Sequence, residues 1–594
     1  MLFPSWLRRP NTRHVRRADA ARQRAHRCRP WLEPLEDRAM LSTLTVVNNA
    51  DSGPGSLRAE IAAANNGDTI RFAGSLAGQT ITLTSGELAV GTNVDIEGPG
   101  AAKLTVSGND ASRVFDIQGG ANVTIAGLTV ANGLVGAVTG DAGGGIEVEP
   151  GASLNLANDT VADNTAYGIG GGLWNQIGGT VAVSGSTFAG NKALGSLTFN
   201  YSVEGFSPGS GTTEGGGIDN DGTATVRNSV FTGNLAQGVT GSDGTGGGAQ
   251  GGAISADGLF TLTRCSFNGN VTRGGDGGAG AAGQSGGTGG QASGGALSLF
   301  TPGNVDYVSS SAFVSNQAFG GLGGDGGTGA DGGTGGVGAA GGMALADATV
   351  TVANCSFVGN TAAGGIGGTG GVGGNGGDGG VGRGGAYVHT VTFGSSTPVS
   401  NLSHVTILDN AAVGGDGGTG GAGGDGGSGG AGQGGGIRAL LGTINVGSSS
   451  LLGNVAEGGN GGSAGAGGAQ GGNGGDGQGG GFLTAFGVDA VLSETTLLFN
   501  EALGGAGAAG GNGGAGQGGG IFNGGALGPF PASDITLIRC LVAFNEAEGG
   551  AAGTGGSAGA GIGGGLYNDG GTIDEVATAI VLNHASTSND DIFG

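Results

Sequence analysis

The sequence predicts an all-β solenoid of stacked strands, and three observations carry that reading. Between Gly143 and Asn583 one unit recurs eleven times: a Gly-Gly pair with an apolar residue close behind, a short β-rich stretch, then apolar-x-x-Asn, usually followed by x-Ala. Closing asparagines 27 to 50 residues apart mark repeats that cannot bury an apolar face alone and must stack to make a core. Gly supplies 153 of 594 residues and Pro only 12, without a Gly-X-Y pattern, while 37% of residues are hydrophobic. That composition excludes collagen and an ordinary globule and suits a long, thin core.

The chain begins with a basic segment. Residues 1–42 hold ten Lys+Arg against four acids, which leaves 11 basic and 41 acidic residues for the remainder. An acidic body argues against a nucleic-acid partner. No run of about 18 apolar residues is present, so no membrane-spanning helix is expected. Arg8, Arg9, Arg13, Arg16, Arg17, Arg22, Arg24, Arg27 and Arg29 precede LEPLEDRAMLS, Leu32 to Ser42, without the apolar core of a secretory signal. That string resembles the LEPxxDR-x-LLS region at the start of many large bacterial surface and secreted proteins, with Met40 where Leu is usual. The resemblance implies export or surface sorting; a disordered basic tail is the plain alternative.

SGPGSLRAEIAAANNGDTIRF, Ser52 to Phe72, puts Leu57, Ile61 and Ala64 on one helical face, with Ser56 as N-cap and Asn65-Asn66-Gly67 as the stop. A short helix here would cover the open first coil, because bare strand edges recruit other chains. The string also resembles the SLR-x-A-I segment that opens many bacterial right-handed β-helix proteins. From Thr80 to Val130, segments such as TITLTSGELAV, KLTVSG and NVTIAGLTV read as the first coils.

The repeats align on Asn164, Asn191, Asn234, Asn270, Asn316, Asn360, Asn410, Asn454, Asn500, Asn545 and Asn583. Three positions earlier every copy is apolar: Val161, Phe188, Phe231, Phe267, Phe313, Phe357, Ile407, Leu451, Leu497, Val542 and Ile580. Coils stacked about 4.8 Å apart would turn this column into an internal ladder, and the Asn column into amides bonded across turns rather than a ligand site. The pairing of GGAI, at Gly251 to Ile254, with FxxN resembles the polymorphic outer membrane protein repeat, a right-handed parallel β-helix of bacterial adhesins. The resemblance covers about residues 143–583. Those adhesins end in a membrane β-barrel, and none is expected after SNDDIFG, so direct autotransport is not expected while surface display is.

Between each Asn and the next Gly-Gly lies a biased insertion, such as GGDGGTGGAGGDGGSGGAGQGGG from Gly414 to Gly436. Gly at two of every three places matches a polyglycine II helix of three residues per turn; a flexible loop is the alternative. If ordered, all arms leave from the same point of the coil and form one wing, bonded to its neighbours because an isolated arm cannot pair its own amides. Asp276, Asp325, Asp378, Asp416 and Asp425 stand there as GGDGG and Asp476 as GGDGQ. These lack the apolar anchor of the calcium nonapeptide GGxGxDxUx and read as solvated acidic tips.

Catalytic and metal constellations are weak. Asp221 and Asp257 fall at equivalent places on successive coils, about 5 Å apart, but in Asp-Gly turns where Asp has a backbone role. Arg264 and Arg539 share a column about six coils, roughly 29 Å, apart. His389 and His404 occupy one repeat without a third ligand for zinc. Cys265, Cys355 and Cys540 face inward at coils too far apart for disulfides.

The reading is therefore an all-β, right-handed parallel β-helix solenoid with a short N-terminal capping helix and glycine-rich insertions, polyglycine II-like or disordered. Residues 1–42 form a basic sorting segment, 43–142 the cap and first coils, and 143–594 the eleven-repeat body. The expected function is a secreted or cell-surface structural and adhesive scaffold without catalytic activity, with no catalytic, cofactor or metal residue assigned. Its partners would be surface or extracellular polysaccharide or other surface proteins, at the bacterial cell surface or outer membrane. The alternatives are a β-helical lyase, glycosidase or binder acting on extracellular polysaccharide, and a calcium-dependent matrix protein. Carboxylates with basic residues on one outer sheet would favour the enzyme; smooth Gly/Ser/Thr faces would favour the scaffold.

Overall fold

A computed structural model describes residues 41–136, 142–196, 212–242, 244–391, 398–526 and 528–594. The chain divides into Met1–Leu41 and Ser42–Gly594, and every described strand belongs to the second unit. Most of the LEPLEDRAMLS string and Cys28 lie outside the described residues.

The second unit is a right-handed parallel β-helix built from five all-parallel sheets of 15, 14, 14, 12 and 9 strands. One coil illustrates all five. Gly338–Ala339 belongs to the nine-stranded wing-root sheet, and Met343–Ala346 to a 14-stranded sheet, here the groove sheet. Thr349–Ala353 lies in the 15-stranded sheet, Ser356–Val358 in the other 14-stranded sheet and Thr361–Ala363 in the 12-stranded sheet. The arm that comes next returns to the following wing-root strand, Gly382–Arg383.

The alternation of the strands decides what is inside. In Thr349–Ala353, Val350 and Val352 point inward and are fully buried while the residues between them are not. The Phe column stacks along the axis: Phe188, Phe231, Phe267, Phe313 and Phe357 succeed one another at centroid distances of 5.0, 4.8, 4.9 and 4.6 Å with planes within 12°. Tyr387 meets the last of them edge-on at 6.5 Å. At the N-terminal end α1, Leu57–Ala63, starts from Ser56, whose hydroxyl accepts the Ala59 N–H at 3.3 Å, and buries Leu57 and Ile61.

The turn after the Phe column explains the asparagines. The residue before each Asn has a φ between 52° and 64°, from Asp163 and Gly190 to Leu582, and five of these eleven residues are Gly. This left-handed residue turns the chain and aims the amide along the axis. Asn316 is typical: its Nδ2 donates to Phe267 O at 3.1 Å and Asn360 Oδ1 at 3.0 Å, while its Oδ1 accepts the backbone and side-chain N–H of Asn270 at 3.0 and 2.9 Å. The same amide-to-amide bond, 2.8 to 3.0 Å, joins every successive pair from Asn164 to Asn583. The Ala two residues later is buried against the wing-root strands, and a Cβ on Gly338 would lie 2.6 Å from Ala318 O.

The glycine insertions form an ordered wing. Gly320, Gly323, Gly326, Gly329, Gly332 and Gly335 donate to carbonyls of the following arm at 2.8 to 2.9 Å, one bond every third residue. Gly321 and Gly324 bond the preceding arm, and Gly333 and Gly336 tie the returning limb to the outgoing one. This three-residue period is that of polyglycine II, and each limb is bonded on several sides. Two of every three residues must be Gly because the lattice leaves no room: a Cβ at Gly321 would lie 2.0 Å from Gly275 O, and one at Gly368 1.9 Å from Gly324 O. The third residue points out, as with Ile366, Thr369 and Val372, all exposed.

A Gly368→Ala substitution is expected to open the arms locally, raising hydrogen exchange of wing amides by at least tenfold while the Asn-ladder amides stay protected. Thr369→Ala, on the outward position, should leave exchange within twofold of the unmodified chain.

Candidate functional site

The outward face of the groove sheet carries a column that changes character along the axis. Its register partners are Asp116, Glu147, Trp174, Asp219, Ser255, Ser298, Ala344, Val388, Arg438, Leu483, Phe522 and Tyr567. Beside it runs the wing-root column Glu214, Gln250, Ser293, Ala339, Arg383 and Gln433. Because the wing root covers this face, outward residues that would be solvated on a bare solenoid become buried: Asp219 is 1% and Glu214 2% exposed.

Four carboxylates converge where these columns meet. Asp221 and Asp257 leave the groove-sheet strands at equivalent positions, each donating its backbone N–H to the Asn one coil earlier, Asn175 and Asn220, at 2.9 Å. That places them about 4.8 Å apart along the axis. Asp221 Oδ2 accepts the Trp174 indole N–H at 3.0 Å. Behind this partly exposed pair lie the buried Glu214 and Asp219, each with one carboxyl oxygen lacking a hydrogen-bond partner, Oε1 and Oδ2 respectively. Burial, then the repulsion of Asp257 and Asp221, raises the pKa of Glu214 well above the carboxylate range. Burial and the charges of Asp221, Glu214 and Asp257 do the same to Asp219. Burial raises Asp221 against the Trp174 bond, and burial with the Asp221 charge lifts Asp257 to about 7. Like charges in a dry site cannot all ionise, so the group holds protons at neutral pH. Such a group can give a proton to a leaving oxygen while a neighbouring carboxylate attacks or deprotonates water.

The cluster is bordered by a second acidic group, this one paired with an arginine. Arg113 pairs with Glu87 at 2.8 Å and Glu147 at 2.6 Å and donates to the carbonyls of Gly143 and Ala142. Among the described residues no arginine or lysine ion-pairs with Glu214, Asp219, Asp221 or Asp257.

The other candidates go elsewhere. Arg264 and Arg539 both occupy a left-handed turn, with φ of 53° and 52°, where Arg264 Nε donates to Asn228 Oδ1 at 2.8 Å and Arg539 pairs with Glu494. His404 stands in the same turn column, exposed, with φ 52°. Cys265, Cys355 and Cys540 are free, buried thiols. The arm aspartates do more than solvate tips: Asp276, Asp325, Asp378, Asp416 and Asp476 each accept a backbone N–H of the next arm at 2.7 to 2.9 Å. Asp425 accepts two, from Ala469 and Gln470. Among the described residues no group of three or more His, Cys, Asp or Glu is placed to hold a metal ion.

No family model and no curated protein matches the chain. Solved structures do match in architecture. The periplasmic alginate epimerase AlgG aligns at a TM-score of 0.32 and 9% identity over 87% of this chain and 84% of its own. The catalytic unit of a thermostable GH87 α-1,3-glucanase from Streptomyces thermodiastaticus strain HF3-3 aligns at 0.34 and 12% over 83% and 67%. The alginate lyase AlyF-OU02 aligns at 0.32 and 10% over 93% and 86%. These are likenesses of fold alone.

The expectation of a scaffold without catalytic activity, and so of no enzyme, is corrected. The groove face is not smooth: four carboxylates converge on it and, further along, two arginines border it. Asp221 and Asp257 are visible in the sequence as stacked Asp-Gly turns. Glu214 and Asp219 are not, though a column at the residue after the apolar start, Asp219, Ser255, Ser298, exposes the second.

His389 is a core residue. Its Nδ1 lies 2.7 Å from Ser400 Oγ and its Nε2 3.0 Å from Leu441 O, and Ser400 also bonds Tyr387. Burial depresses its pKa to about 4. The unfolded chain therefore binds more protons below pH 6.5, so the stability this group provides is full above pH 6.5 and falls toward pH 4, by about 3 kcal/mol in all. Urea midpoints measured from pH 8 to 4 should drop more steeply for the unmodified chain than for His389→Gln.

Proposed function

We propose that the protein is a polysaccharide-acting enzyme of the glycosidase type, with its centre at Asp221 and Asp257. The observation that carries this is the convergence of four buried or half-buried carboxyls, two of them stacked on adjacent coils in a face closed by the wing root. Hydrolysis of a glycosidic bond needs a carboxyl that holds a proton near neutral pH and a second that does not. Asp257, lifted to about 7, fits the first role. Asp221, which accepts the Trp174 N–H, fits the second.

A spacing of about 4.8 Å between adjacent coils suits a double displacement, which needs carboxyls roughly 5 Å apart. Asp257 protonates the glycosidic oxygen as the bond to the anomeric carbon breaks, and an Asp221 oxygen bonds that carbon to give a glycosyl ester. Asp257, now ionised, takes a proton from water, whose oxygen attacks the anomeric carbon and frees Asp221. Glu214 and Asp219 act as positioning residues, keeping the pair in a field that disfavours double ionisation. Elimination on a uronate is less well supported, since it needs positive charge beside the sugar carboxylate and the described surroundings of the cluster supply none. An extracellular or surface location agrees with this substrate class and with the sorting string at Leu32 to Ser42.

Incubating the full chain with neutral and acidic polysaccharides should shorten at least one of them, with kcat falling above about pH 7 as Asp257 loses its proton. Asp257→Asn and Asp221→Asn should each lower kcat by at least a hundredfold without changing the far-ultraviolet spectrum. Cleavage that survives both substitutions, or a panel left wholly uncut, would contradict the assignment.

A further inference from the structure

The groove face holds a second polar centre, five strands from the first. Arg438 comes after Asp219, Ser255, Ser298, Ala344 and Val388 in the register, about 24 Å along the axis at 4.8 Å per strand. Arg383 stands beside it on the wing root. Arg438 is 5% exposed, and its Nε donates to Gln433 Oε1 at 3.2 Å. Gln433 is itself held, giving its Nε2 to Gln478 Oε1 at 3.0 Å. The Nε of Arg383 is buried with no hydrogen-bond partner. No described carboxylate pairs with either arginine; the one charge bearing on Arg438 is that of Arg383, which opposes it.

Two guanidinium groups placed together without a counter-ion are costly in a dry site, because each loses hydration and repels the other. The cost has a use if the counter-ion arrives with a ligand. Both arginines border a cavity of 190 Å³ that Ser293, Ser298, Ala344 and Val388 also line. A lining that combines guanidinium and hydroxyl donors with the apolar surface of Ala344 and Val388 matches an acidic sugar, whose anionic group would meet the arginines and whose C–H face the apolar side chains. The fork of a guanidinium fits a planar carboxylate with two parallel bonds.

We propose that Arg383 and Arg438 form an anion subsite that takes the carboxylate of a uronic acid unit, in line with the carboxylate centre on the same face. The inference rests on the polysaccharide reading for the length of the ligand; capture of the anion is tested apart from cleavage.

The test is titration of the full chain with polygalacturonate, its methyl ester, dextran sulfate and dextran, monitored by calorimetry at two salt concentrations. Polygalacturonate should bind, more weakly at high salt, and the ester at least tenfold more weakly than the acid. Arg383→Gln and Arg438→Gln should each cost tenfold or more, while Thr369→Ala, on the outward face of the wing, binds as the unmodified chain does. Arg383 is only partly buried, so its variant decides the matter if Arg438→Gln does not fold. Equal binding of acid and ester, binding of dextran sulfate alone, or arginine variants that bind normally would overturn the subsite. Polygalacturonate bound but never cut would leave the subsite standing and remove the hydrolase; a cut neutral glucan with no preference for acid would do the reverse.

Discussion

Axial register is the constraint on which everything else in this molecule depends, and the asparagine ladder is what holds it. Each internal amide closes bonds to the coil before and the coil after, and each is buried among apolar side chains where water cannot substitute. A slip of one residue would turn every inward side chain outward and leave both ends of each amide without partners, at about 1 to 3 kcal/mol for each group. Repeats of unequal length, from 27 to 50 residues, therefore stack as if they were equal, because the variable part lies outside the ladder.

The variable part is itself ordered by the same register. Arms that leave every coil at one point meet their neighbours at the strand spacing, and only glycine lets the backbones approach closely enough to bond on several sides. The outward third residue then becomes free to vary, and Asp or Asn there accepts an N–H of the next arm. The wing also closes the outer face of the groove sheet. A parallel β-helix usually presents that face to water, where an Asp or an Arg would be fully hydrated and ordinary in its chemistry. Beneath the wing root the same residues are dehydrated, which raises Asp257 and leaves Arg383 Nε without a partner.

The parts of this structure legible in the sequence are those that repeat. The Phe, Asn and Ala columns and the two-in-three glycines recur with the coil, so alignment alone exposes the solenoid and the wing. Asp221 and Asp257 are legible as a stacked pair, but their Asp-Gly context offers a sufficient turn role. Glu214, Arg383 and Arg438 are not legible, and Asp219 only faintly, because the columns they occupy change residue type from coil to coil. Their burial depends on the wing root lying across the groove sheet, a long-range contact that no local pattern records. His389 is the opposite case: an isolated histidine in the sequence proves to be a hydrogen-bonded core side chain.

The central claim is that register and cover together keep the carboxyl cluster protonated at neutral pH. Infrared difference spectra of the full chain against Glu214→Gln and Asp219→Asn test it most directly, since a neutral carboxyl absorbs at a frequency where a carboxylate does not. At pH 7 the unmodified chain should show the carbonyl band of neutral carboxyl groups, shifted by deuterium and diminished in each variant. Spectra at pH 7 with only ionised carboxylates at these positions would contradict the account.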